Sequence, residues 1–243
     1  MRLRPIVLSV LLACSAPAMA QVGISFNGPG VSIGINLPAY PTLQPIPGYP
    51  VYYAPSVNSN YFFYDGLYWV YVNDNWYASS WYNGPWHGVD RFYVPDYILR
   101  VPVRYYRHAP AYFHGWRADA APHWSEHWGS SWSQKRSGWD QYNRSTAPAP
   151  APLPTYQRQY SGNRYPQQTQ QATIHTNNYR YQPTENVARE HYQNQRQQVA
   201  SQPQPQRQPE QHAQGHDQGK GHDQGKGHEQ GKGHEQGKGH DKD

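Results

Sequence analysis

His123-Trp124-Ser125-Glu126-His127 has the H-x-x-E-H spacing at which one helix face can hold two imidazoles over a metal ion, with the carboxylate beside them as a base. A hydrolytic zinc site also needs a third protein ligand and an open position for water. The segment is short, is interrupted at Gly129 and has no helical scaffold around it to carry that ligand. These residues therefore read as polar groups around packed tryptophans. The chain also has no G-x-S-x-G, phosphate-binding loop or dinucleotide fingerprint. Carboxylates around the aromatic stretch are sparse (Asp65, Asp74, Asp90 and Asp96), and the expectation is a protein that is not an enzyme.

A second chemistry lies at the C-terminus. From His216 a six-residue unit, His-[Asp/Glu]-Gln-Gly-Lys-Gly, repeats with His216, His222, His228 and His234 at its heads, and a truncated copy begins at His240. Flexible imidazoles can converge on Zn, Cu or Ni and would release the metal on acidification. Repeat expansion into a solubilising tail is the other reading of the same residues. No other cofactor is expected.

The third chemistry is aromatic. All 9 Trp lie between Trp69 and Trp139. Along alternating strands, Tyr61, Tyr68, Trp69, Trp76, Trp81 and Trp86 could present a row that stacks on sugar rings or peptides. The competing expectation is that a hairpin and a helix cover that face. An envelope glycan or protein is the expected partner. Net charge is +5 without a Lys/Arg block, which argues against nucleic acid.

Arg2 and Arg4 precede a short apolar run, Pro5 to Ala13, and Ala18-Met19-Ala20 offers a cleavage site. This reads as a signal peptide over 1–20, and the protein as exported, periplasmic or secreted. Leu11-Leu12-Ala13-Cys14 also fits a lipobox, the alternative being a lipoprotein anchored through Cys14. No later segment is apolar enough for a transmembrane helix.

Strict alternation over 22–37 around Asn27-Gly28-Pro29-Gly30 predicts a hairpin, and the proline-rich stretch up to residue 50 a linker. Over 51–145, Asp65-Gly66 between aromatic runs predicts a two-residue turn, with further reversals at Asn73-Asp74-Asn75 and Asn83-Gly84-Pro85. The fold class is mainly β, a small antiparallel meander. Trp124, Trp128, Trp132 and Trp139 predict one Trp-striped helix between Asp119 and Tyr142, packed on the sheet. From 146 to 243 the Ala-Pro, Gln and His-rich composition predicts a disordered tail, in which the stretch from Glu185 to Gln198 could form only a short, lone and unstable helix.

Val94-Pro95-Asp96-Tyr97-Ile98, with Trp76-Tyr77 upstream, resembles the helical turn that closes Src-homology-type β-barrels, which implies a small barrel. On a wider scale, Asn60-Tyr61-Phe62-Phe63-Tyr64-Asp65-Gly66-Leu67-Tyr68-Trp69, Trp81-Tyr82-Asn83-Gly84-Pro85-Trp86 and Gly115-Trp116-Arg117-Ala118-Asp119 resemble an uncharacterised family of exported Tyr/Trp/Pro-rich envelope proteins of Gram-negative bacteria. The resemblance implies an envelope location and no particular activity.

Overall fold

The protein is described by a computed structural model over residues 27–201. Its centre is a seven-stranded antiparallel sheet: β1 (Asn27–Val31), β2 (Gln44–Pro45), β3 (Tyr52–Tyr53), β4 (Asn60–Tyr64), β5 (Leu67–Val72), β6 (Asn75–Ser79) and β7 (Trp86–Val89), in the order β1-β7-β6-β5-β4-β3-β2. The meander expected from the aromatic runs is present. Its turns need positive φ, which Asp65 and Gly66 (50° and 84°) and Asn73 and Asp74 (50° and 59°) supply.

The sheet does not close, so the barrel implied by the Val94–Ile98 likeness is not formed. That segment makes the short helix α1 (Asp96–Leu99), but β1 and β2 remain two separate edges. The N-terminal hairpin is corrected as well. Asn27-Gly28-Pro29-Gly30, expected as its turn, lies within β1 (Asn27–Val31), the strand paired with β7. Gly30 permits the close approach: a Cβ there would lie 2.4 Å from Cβ of Pro85.

Register sorts the aromatic side chains into two faces. Phe62, Trp69 and Ala78 are cross-strand partners in one row, and Tyr71 and Trp76 pair in the next. Tyr61 with Val70, and Phe63 with Tyr68, point to the other face. The first face meets the tryptophan segment: Trp124 packs edge-on against Tyr71 and Trp76, at 5.2 and 6.2 Å between ring centroids. The expected single helix is two, α2 (Trp124–Trp128) and α3 (Ser130–Lys135), because Gly129 at φ 82° and ψ 178° cannot continue a helix. The stripe survives the break. Trp124 stacks on Trp128, which meets Trp132, which meets Trp139, and all four are buried.

Residues 146–201, expected at the start of a disordered tail, are instead part of the same compact unit as the sheet. They carry α4 (Gln168–Asn178) and α5 (Asn186–Ala200) and bury Ala151, Tyr179, Val187, Ala188 and Tyr192. The reason is polar as much as apolar. Gln157, fully buried, accepts from the Tyr68 hydroxyl and the Tyr82 amide and donates to the Ser80 carbonyl and the Tyr156 hydroxyl. Its amide is satisfied on both sides, so its burial carries little penalty. The repeats from His216 onward lie outside the described residues. No helix among the described residues is long and apolar enough to cross a membrane.

Candidate functional site

The six aromatics expected to form a ligand face do not form one. Tyr61, Tyr68, Trp69, Trp76, Trp81 and Trp86 are each at most 2% exposed. Both faces of the sheet are covered, one by the tryptophan ladder and the other by the Gln157 segment, so these rings build the core. The five repeat histidines, His216, His222, His228, His234 and His240, lie outside the described residues.

The H-x-x-E-H residues are divided between different partners. His123 stacks on Trp116 and its Nδ1 lies 3.1 Å from Oε1 of Glu126. His127 stacks on Tyr112 at 3.8 Å between centroids, and its Nε2 lies 2.6 Å from Oδ1 of Asp74 in the β5–β6 turn. Asp74 also accepts from the hydroxyls of Tyr71 and Tyr112. Partial burial pushes its carboxyl up, but hydrogen bonds from Tyr71, His127 and Tyr112 outweigh that and hold it below its ordinary value. The cluster clamps the 106–128 segment to the hairpin. Among the described residues no three His, Cys, Asp or Glu side chains form a metal-binding group.

A concavity large enough for a ligand lies in the region expected to be unstructured. A groove of about 810 Å³ runs beside the N-terminal part of α4. Tyr160, Tyr165 and Ile174 supply its apolar surface, and Asn163, Gln167 and Gln170 neutral amides. Gln170, Thr173 and Ile174 reach it together because residues three and four apart share a helix face. Its start is fixed locally, since the Gln167 amide donates to the Gln170 side chain at 3.3 Å.

The groove tyrosines are held from behind. Trp81 meets the rings of Tyr160 and Tyr165 edge-on, at 5.5 and 5.7 Å, and its Nε1 donates to the Gln171 carbonyl. The Tyr165 hydroxyl donates to the Gly84 carbonyl at 2.7 Å and accepts from the Asn83 amide. Burial pushes its ionisation upward, so it stays a neutral phenol. The site thus offers two rings backed by Trp81, one aliphatic side chain, several amide groups and the exposed guanidinium of Arg164. Such a set can bind a hydroxyl-rich or amide-rich ligand by stacking and hydrogen bonds.

Neither the protein-family models nor the curated proteins nor the solved structures contain a match to this chain. The groove residues were not singled out in the sequence. The available signal was the spacing of Tyr156, Tyr160 and Tyr165 ahead of a stretch, 168–178, free of Pro and Gly.

Proposed function

We propose that the protein is an exported, non-enzymatic binding module of the cell envelope, and that the groove beside α4 takes a glycan. The observation that carries this reading is the pairing of two immobilised tyrosine rings with Asn163, Gln167 and Gln170. Rings stack on the apolar faces of sugars while amides bond their hydroxyls and acetamido groups. Export and envelope location are supported by the N-terminal pattern of Arg2, Arg4, Pro5 to Ala13 and Ala18-Met19-Ala20, and by the family likeness in the aromatic stretch.

Titration with N-acetylglucosamine oligomers, followed by tryptophan fluorescence, tests the glycan reading. Trp81 touches both groove tyrosines, so binding should change the emission, and Tyr160→Ala should weaken it by about tenfold. No change with the oligomers, together with binding of an extended peptide, would assign the groove to protein instead.

The repeats headed by His216, His222, His228, His234 and His240 favour a second reading, divalent-metal buffering through Zn, Cu or Ni. Calorimetric titration of these ions into the mature chain and a chain ending at Gln211 separates it from the first. Micromolar binding present only in the longer chain supports metal handling.

A further inference from the structure

A smaller cavity of about 110 Å³ lies on the other side of α4, between that helix and α5. Gln170, Thr173 and Ile174 face the groove, whereas His175, Thr176 and Tyr179 face this cavity. Arg180 and, from α5, Tyr192, Gln195 and Arg196 line it as well. The lining contains no carboxylate. Arg180 and Arg196 are exposed and have no ion-pair partner among the described residues.

Two buried polar atoms here have no hydrogen-bond partner, Nε2 of His175 and Oε1 of Gln195. His175 is only 2% exposed. Gln157 donates to the Tyr156 hydroxyl at 3.1 Å, which leaves the phenolic hydrogen for Nδ1 of His175 at 2.8 Å. With Nδ1 accepting, the proton of the neutral imidazole sits on Nε2. Burial first, and the Arg196 charge second, keep that ring neutral by lowering its pKa to about 3. A buried donor and a buried acceptor without partners thus belong to residues that line the cavity together with Arg180 and Arg196. Leaving such groups unmatched is costly, and a ligand able to match them is favoured.

We propose that this cavity is a phosphate-group site. The Nε2–H of His175 and the guanidinium groups of Arg180 and Arg196 donate to the phosphate oxygens, and the protonated oxygen of a monohydrogen phosphate donates to Oε1 of Gln195. The cavity has room for several waters or one compact polyatomic ion, and paired arginines suit the geometry of phosphate. This site uses none of the groove residues and does not rest on the glycan reading.

The test is ¹H–¹⁵N NMR of the histidine-labelled protein titrated with inorganic phosphate. The His175 ring resonances should shift saturably at millimolar or lower concentration, and Arg180→Ala or Arg196→Ala should each weaken binding by about tenfold. Both side chains are exposed, so the variants keep the fold, which near-ultraviolet circular dichroism checks. Sulfate, with no proton to give Gln195, should bind more weakly. Vesicles of phosphatidylcholine with phosphatidic acid distinguish the sources: a shift with inorganic phosphate alone assigns a free phosphate, and one with vesicles too extends the site to a lipid headgroup. No movement of the His175 resonances with either ligand, the same affinity when both arginines are alanine, or equal binding of sulfate overturns the proposal.

Discussion

Asp65 occupies a turn position that asks only for tolerance of positive φ, yet its carboxylate is among the most engaged groups in the chain. It accepts from the amides of Thr184 and Glu185 and from the hydroxyls of Thr184 and Tyr181. It thereby caps α5, whose own N-cap residue, Glu185, makes no side-chain cap. Asp65→Ala should lower stability by about 3 kcal/mol, with Asp65→Asn in between, measured by urea unfolding. Its neighbour Gly66 is bound by geometry: φ is 84°, and a Cβ would lie 2.4 Å from the Tyr192 hydroxyl, which donates to the Gly66 carbonyl. Gly66→Ala should cost about 2 kcal/mol or more and raise hydrogen exchange in α5 before the sheet. The turn itself was legible, because Asp-Gly between aromatic runs has few other uses. The capping role was not, since nothing local to Asp65 points to Thr184, 119 residues away at the approach to α5.

At the scale of elements, sequence signals that repeat over short distances were the readable ones. The aromatic runs on either side of Asp65-Gly66 gave both strands of the central hairpin, and the four-residue spacing of Trp124, Trp128 and Trp132 gave the face that meets the sheet. The same spacing hid the break at Gly129, where φ 82° with ψ 178° is a conformation for glycine alone. Gly129→Ala meets no atom within 4 Å, so its cost is purely one of backbone. A loss of about 1–3 kcal/mol, seen as a lower melting temperature without a gain in helical signal, is the expected result. α4, and the packing of α5 against the sheet, were illegible for the opposite reason: Gln and Asn dominate both helices, and their buried positions are filled by groups such as His175, His191 and Tyr192 that average composition counts as polar. The candidate groove, built on α4, was hidden with it.

For the whole molecule, the buried histidines predict how stability follows pH. His175 and His191 are lowered by burial from 6.5 to about 3. Below pH 6.5 the unfolded chain takes up protons that the native state refuses. Stability is therefore fully present above about 6.5 and lost progressively as pH falls toward 3. Asp74, with its carboxyl held low, adds a loss in the same direction at more acid pH. Urea midpoints measured from pH 7.5 to 5 should fall, and His175→Gln with His191→Gln should flatten the curve. The bonds from Asp65 to Thr184, and from Gly66 to Tyr192, have another consequence, for the order of assembly. The β4–β5 hairpin closes through neighbours, whereas the residues that seal its turn come more than a hundred positions later. Contacts of that span form late. A chain emerging N-terminus first holds out an unsealed aromatic hairpin until its last quarter arrives, and through that interval it is a natural client for a chaperone that shields apolar surface.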